Sequence, residues 1–308
     1  MKRKRFMEKE IVKRYEHNPI LTPDNMPIPC NSVFNPGAIK HRGKYLLILR
    51  IEDYDRISHF RIATSDDGVH FDVDEEPMEL PQDPECELYE TNCYDARISK
   101  IDDIYYITYA AESRLGVRIG LMKTVDFKKF ERMPYGSEVE NRNGVLFPEK
   151  IEGLYARLDR PLNHYGEGHI WISYSPDLVF WGKAKLVMKT RWHSWDEQRI
   201  GAAGVPIKTD HGWLLIYHGV CRYTRVYELG ACLLDLKDPA KAIARSKHSI
   251  LGPKEIYERV GEVPNVVFSN GAVVEDDGEV KIYYGGADHV VCLATAKLDD
   301  LIRACFEY

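Results

Sequence analysis

The chain has 308 residues, 44% hydrophobic, 11% aromatic and 29% charged, with a formal net charge of −6 at pH 7. That size and apolar content support a substantial core, in one large all-β domain or two smaller ones. The negative balance argues against a nucleic-acid partner, which calls for a basic footprint, and no stretch approaches the ~18 apolar residues of a membrane span or the core of a signal peptide.

In chain order, the basic start Lys2-Arg3-Lys4-Arg5 is offset at once by Glu8 and Glu10, which reads as a solvated helical face over 5–13. A short extended piece, Asn18-Pro19-Ile20-Leu21, follows. The first four-stranded unit then covers 35–40, 45–50, 61–65 and 70–74, with Asp66-Asp67-Gly68 as a hairpin turn. The second, at 95–100, 104–110, 117–122 and 127–132, opens on Tyr94-Asp95-Ala96-Arg97, where alternation predicts Asp95 and Arg97 on one face. Unit three has strands at 145–147, 154–160, 169–175 and 181–188. Unit four has 199–208, 213–218, 229–234 and a strand near 250–251. Unit five has 265–274, 280–284 and 290–295 but no fourth strand, and 298–306 reads as a short helix.

Five self-similar units at a period of roughly 50–70 residues are the mark of radial repetition, so the expected fold is an all-β five-bladed β-propeller. The orphan strand at 18–21 resembles the segment at 249–253, and we expect an N-terminal strand to close the last blade. No linker divides the chain. It reads as one domain over 1–308, with 1–17 as an N-terminal extension and 298–308 as a short tail. The seven cysteines, Cys30, Cys86, Cys93, Cys221, Cys232, Cys292 and Cys305, are odd in number and form no CxxC, which fits a reduced, cytoplasmic protein.

In a propeller the innermost strand of each blade lines the channel. Its first residues here are Asn35, Asp95 with Arg97, Arg142, Arg199 and Asn270, and the ends of the following strands supply Arg50, Glu112, Arg160, His218 and Asp288. Converging arginines repel unless an anion or carboxylates lie between them. A glycosidase needs two carboxylates; here one clear carboxylate, Asp95, faces several arginines. That balance suits a general acid opposite a bound oxyanion, and inorganic phosphate could itself be the nucleophile, with no separate base. His164, Glu167 and His169 sit in a glycine-flanked hairpin rather than a metal-ligand pattern, and no dinucleotide or phosphate-cradling glycine motif is present. Trp171 and Trp181 read as packing between blades, while Trp192 and Trp195 fit either packing or stacking on a sugar.

The motifs Asn141-Arg142-Asn143-Gly144-Val145-Leu146-Phe147-Pro148-Glu149-Lys150, Asp159-Arg160-Pro161, Ile200-Gly201-Ala202, 213–219 and Tyr284-Gly285-Gly286-Ala287-Asp288 resemble those of glycoside hydrolase family 130, the five-bladed mannoside phosphorylases, in order over about 18–298. The resemblance implies inverting phosphorolysis of β-mannosides to α-mannose 1-phosphate, with inorganic phosphate as co-substrate and no other cofactor. It implies that Asp95 is the general acid, acting through the mannose 3-hydroxyl, and that Arg142, Arg160, Arg199, His218 and Tyr227 bind phosphate. It assigns Asn35, Arg50 and Asp288, with Tyr94 and Asn143, to the sugar. Arg199 stands where many members carry lysine. Asn35-Pro36 replaces a frequent Asn-Ser, which implies the loss of one sugar contact, and Tyr94-Asp95-Ala96-Arg97 replaces Tyr-Asp-Pro-Arg, which leaves the acid in place. Members without the basic set are hydrolases.

Two other functions fit the same fold. One is a β-mannosidase in which water replaces phosphate and Glu112 or Asp288 is the base; the other is a carbohydrate-binding propeller without chemistry. Linkage and acceptor are left open, since they depend on the loops at 52–60, 83–92 and 221–225. A homo-oligomer is compatible with the resemblance, though no stretch establishes one.

Overall fold

A computed structural model describes residues 11–82 and 84–306. The alternating segments form five antiparallel sheets set around a channel, each running from an inner strand outward. Blade one is Ser32–His41, Lys44–Glu52, Ser58–Ser65 and Asp72–Val73; blade two is Asn92–Ile101, Ile104–Ser113, Gly116–Thr124 and Glu131–Met133. Blade three is Asn141–Leu146, Tyr155–Pro161, Ile170–Ser175 and Gly182–Met188. In blade four the inner edge is split into Arg199–Ala202 and Ile207–Thr209, followed by Gly212–Val220, Tyr227–Leu234 and Ala242–Arg245. Blade five is Val267–Val274, Glu279–Gly286 and Val290–Lys297, with Lys13–Arg14 as its outer strand.

Consecutive blades pack in chain order and blade five packs on blade one, which closes the ring. Each junction is an apolar layer between two sheets. Between blades three and four Phe147 meets Trp213 edge to face at 5.2 Å, and between blades five and one Leu47, Leu49, Tyr283 and Val291 are fully buried. The helix Leu298–Phe306 buries Leu301, Ile302, Ala304 and Cys305 against blades four and five.

Two boundaries differ from those the sequence suggests. The N-terminus does close the last blade, but the paired strand is Lys13–Arg14, and Leu21 adds only an isolated bridge to Val291. The reason is local. Asn18 spends its side-chain amide on both backbone groups of Leu293, at 2.8 Å each, and Pro19 has no N–H to offer a ladder. Of the helix expected over 5–13, residues 5–10 lie outside the described residues, and the rest is a bend leading into the strand. In blade four the outer strand is Ala242–Arg245, reached through a turn in which Asp235 accepts from the N–H groups of Lys237 and Asp238; Leu251 forms only a bridge to Leu229.

Ring closure is reinforced by a buried ion pair. Arg14 donates to both carboxylate oxygens of Glu258 at 2.7 and 2.9 Å, and the same carboxylate accepts from Tyr284 and from two backbone N–H groups. Removing one member of such a pair costs about 3–5 kcal/mol, because the other charge is left buried.

The turn expected at Asp66-Asp67-Gly68 is present, and its geometry recurs in two further blades. Ser65-Asp66-Asp67, Thr124-Val125-Asp126 and Ser175-Pro176-Asp177 each join the outer two strands of a blade, and in each the aspartate caps the N–H groups two and three residues on, at 2.8–3.0 Å.

What positions the site is a set of irregularities in the inner strands. Blades one, two, three and five each break register, between Phe34 and Gly37, Tyr94 and Arg97, Arg142 and Val145, and Ser269 and Gly271. Asn35, Asp95 and Asn143 stand there with φ of 46°, 58° and 57°, the left-handed conformation that Asn and Asp tolerate best among side-chain-bearing residues. Just past them the strands converge: a Cβ on Gly37 would lie 2.6 Å from the carbonyl oxygen of Ala96, so backbone fills the waist of the channel. Cavities of about 310 Å³ and 260 Å³ flank that waist, the larger at the mouth where the inner strands begin.

Candidate active site

The mouth cavity brings together every residue assigned above to catalysis, phosphate or sugar. Asn35, Arg50, Tyr94, Asp95 and Asp288 form one side; Arg142, Asn143, Arg160, Arg199, His218 and Tyr227 form the other. The placement follows from chain direction. Odd elements of each blade start at this mouth and even elements end there, so the starts of inner strands and the ends of their neighbours meet in one ring.

On the first side, Asp95 Oδ1 accepts from Asn35 Nδ2 at 3.1 Å and from Arg50 Nη1 at 3.2 Å. Arg50 is held by Ser58 at 3.0 Å and lies between the rings of Phe34 and Tyr94, 4.4 and 4.5 Å from their centroids. Burial pushes the Asp288 carboxyl up to about 7; the charges of Asp95 and Glu52 add to this and Arg50 opposes it.

The other side is cationic. Arg160 is 5% exposed, donates through Nε and Nη2 to Asn143 Oδ1 at 3.1 and 2.7 Å, and keeps Nη1 without a protein partner. Burial, followed by the charges of Arg142 and Arg199, lowers its guanidinium to about 9. The Nε of Arg142 is likewise buried and unpartnered, and Arg199 donates to the Tyr227 hydroxyl at 2.6 Å. His218 is buried against Phe268, 4.5 Å between ring centroids, and burial with the charges of Arg160, Arg97 and Arg199 holds it well below its usual value, so it is a neutral imidazole at neutral pH. Gly201 is required beside it, since a Cβ there would lie 2.6 Å from the imidazole Cε1. A buried donor set this rich in positive charge, with spare N–H groups, is suited to a dianion.

Two residues expected at the mouth are elsewhere. Arg97 does not share a face with Asp95: the bulge between them breaks the alternation, and its side chain is buried across the channel. Asn270 is also buried, donating to the Asn35 carbonyl at 2.9 Å and lining the smaller cavity beyond the waist. Glu112 lines the mouth cavity as expected, and so do Asn92, Val263, Val266 and Phe268, which had not been singled out. Their signal was position alone, next to an inner-strand start. Of the hairpin side chains, Glu167 is engaged by Arg222 and Asn163, and among the described residues no three His, Cys, Asp or Glu gather as metal ligands. Trp195 stacks on Tyr217 at 5.5 Å as packing, whereas Trp192 is exposed.

The Asp288 shift carries a stability consequence. An unfolded Asp loses its proton near pH 3.9, whereas the folded one keeps it to about 7. The folded state therefore binds the extra proton between those values; this contribution is fully present below about pH 4 and is lost as pH rises through about 7. Asp288→Asn should accordingly shrink the drop in melting temperature between about pH 5 and about pH 8. An unchanged drop in the variant would show that Asp288 titrates normally.

Comparison with known proteins gives a consistent picture. A family model for glycoside hydrolase family 130, described as β-1,4-mannooligosaccharide phosphorylase, matches residues 2–307. A β-1,4-mannooligosaccharide phosphorylase of Ruminococcus albus is 36% identical over 306 residues, covering 96% of this chain and 90% of that protein. A 1,2-β-oligomannan phosphorylase of a Thermoanaerobacter species is 39% identical, covering 94% of this chain and 98% of that one. Among solved structures, the β-1,2-mannobiose phosphorylase of Listeria innocua in complex with β-1,2-mannobiose superposes with a TM-score of 0.89 at 32% identity, over 96% of this chain and 99% of that one.

Proposed function

The chain belongs to glycoside hydrolase family 130, and from that premise we propose that it catalyses inverting phosphorolysis of β-mannosides, releasing α-D-mannose 1-phosphate and the shortened saccharide or acceptor sugar. The observation that carries the reading is the buried, unpartnered guanidinium edge of Arg160 among Arg142, Arg199 and neutral His218, facing Asp95 across one cavity. Relatives acting on β-1,4 and β-1,2 linkages are similarly identical to this chain, at 36% and 39%, so the proposal is made for β-mannosides as a class.

In this mechanism Asn35, Arg50, Tyr94, Asn143 and Asp288 hold the mannosyl unit, while Arg142, Arg160, Arg199, His218 and Tyr227 hold hydrogen phosphate. A phosphate oxygen attacks the anomeric carbon as the glycosidic C–O bond breaks. The leaving oxygen takes a proton that originates on Asp95 and passes through the mannose 3-hydroxyl, and the proton brought in by hydrogen phosphate restores Asp95. The shared ligands of Asp95, Asn35 and Arg50, support the relay, because they place the acid among the groups assigned to the sugar. Phosphate is the co-substrate and no further cofactor enters. A cytoplasmic setting suits a chain in which none of the seven cysteines forms a disulfide; no helix among the described residues is long and apolar enough to cross a membrane.

The stereochemistry is directly testable. Phosphorus and proton NMR of the first product formed from a β-mannoside and phosphate should show the α-anomer of mannose 1-phosphate; the β-anomer would rule out single inverting displacement.

A further inference from the structure

Arg97 is the most completely buried arginine among the described residues, 1% exposed, yet its hydrogen bonds do not go to a carboxylate. Its donors go to three backbone carbonyls instead. Nη1 donates to Asp95 O at 2.9 Å, Nε to Ala203 O at 3.0 Å and Nη2 to Ala202 O at 3.2 Å. The first belongs to the bulge that carries the acid on blade two. The other two belong to the inner edge of blade four, which also carries Arg199. Phe268 of blade five flanks the guanidinium, 6.0 Å from its ring centroid.

The arrangement answers a specific need. Asp95 has φ of 58° within a register break, so the sheet does not hold its backbone in the regular way, and a non-glycine residue in this region is strained by about 1 kcal/mol or more. The other bulges meet the same need with neutral donors. Asn270 Nδ2 holds Asn35 O at 2.9 Å, and Thr108 Oγ1 holds Gly144 O at 2.6 Å. At Asp95 the holder is a forked cation that spans two non-adjacent blades.

Resting on the phosphorylase reading above, we propose that Arg97 is the positioning residue for the general acid: its guanidinium ties the strained Asp95 backbone to blade four and so sets the acid's place relative to the phosphate-holding side of the cavity. It touches neither substrate. A lysine at this position keeps the charge but cannot reach three carbonyls with a planar fork.

The test is steady-state kinetics of Arg97→Lys and Arg97→Met beside the parent enzyme, with melting curves for all three. The expected result for Arg97→Lys is a folded protein at the assay temperature with kcat reduced about 100-fold, the scale of an ångström-level misplacement of a catalytic group, while KM for the β-mannoside and for phosphate stay within about threefold. Arg97→Met should lose at least as much kcat, and added guanidinium should restore part of it. Retention of kcat within about threefold in Arg97→Lys, or failure of both variants to fold, would overturn the proposal and leave Arg97 a purely structural residue. A parent enzyme that releases no mannose 1-phosphate would instead overturn the phosphorylase reading, so the two failures are separable.

Discussion

Asp95→Asn should lower kcat on a β-mannoside with an unactivated leaving group by about 10³–10⁴-fold, the upper range of general acid catalysis. The substitution is nearly isosteric. Its Oδ1 can still accept from Asn35 Nδ2 and Arg50 Nη1, now at 3.1 and 3.2 Å, so the sugar side of the cavity has reason to stay in place. What disappears is the proton that the departing oxygen needs. Because phosphate supplies the nucleophile, no second carboxylate compensates. The loss should therefore shrink to within about tenfold on an aryl β-mannoside whose phenolate leaves without protonation. Paired kinetics on the two substrates checks this; equal losses on both would mean that Asp95 acts on binding or structure rather than by giving a proton.

Arg160→Ala is the second large effect. The side chain is buried, already oriented by two hydrogen bonds to Asn143, and its remaining edge is unsatisfied by protein. The free enzyme thus holds a guanidinium against both burial and the neighbouring charges of Arg142 and Arg199, and an incoming dianion offsets that unfavourable field. A charge-assisted, pre-oriented contact of this kind is worth about 2–3 kcal/mol, so kcat/KM for phosphate should fall about 30- to 150-fold. KM for the mannoside, set on the Asn35, Arg50 and Asp288 side, should change by no more than about threefold. Initial rates over a matrix of both substrates separate the two. A variant with unchanged phosphate dependence would remove the arginine set from the phosphate site.

Much of this architecture could be read from local pattern. Apolar runs such as Tyr45-Leu46-Leu47-Ile48-Leu49 and Trp213-Leu214-Leu215-Ile216-Tyr217 are middle strands buried on both faces, and the residues that end or precede them fall at one mouth because antiparallel strands alternate direction. That geometry is why all eleven assigned side chains reach a single cavity.

Periodicity failed where a side chain or a bulge competes with the ladder. Asn18 replaces a backbone pairing with its amide, which moved the closing strand back to Lys13–Arg14. Asp95 in the left-handed region cancels the two-residue period, which sends Arg97 away from the acid's side of the channel. A trace of the second effect is present in the chain. Asn143-Gly144, Asn270-Gly271 and Asp95-Ala96 each pair a residue tolerant of positive φ, or prone to side-chain capping, with a small one that lets the waist close.

The central claim is that phosphate, not water, attacks the mannosyl carbon. The measurement is the product ratio and initial rate on a β-mannoside as inorganic phosphate is raised from none to saturation. The account predicts negligible turnover without phosphate, a rate that saturates with phosphate, and one mannose 1-phosphate for each bond broken. Release of free mannose at a rate indifferent to phosphate would contradict it and make the chain a hydrolase.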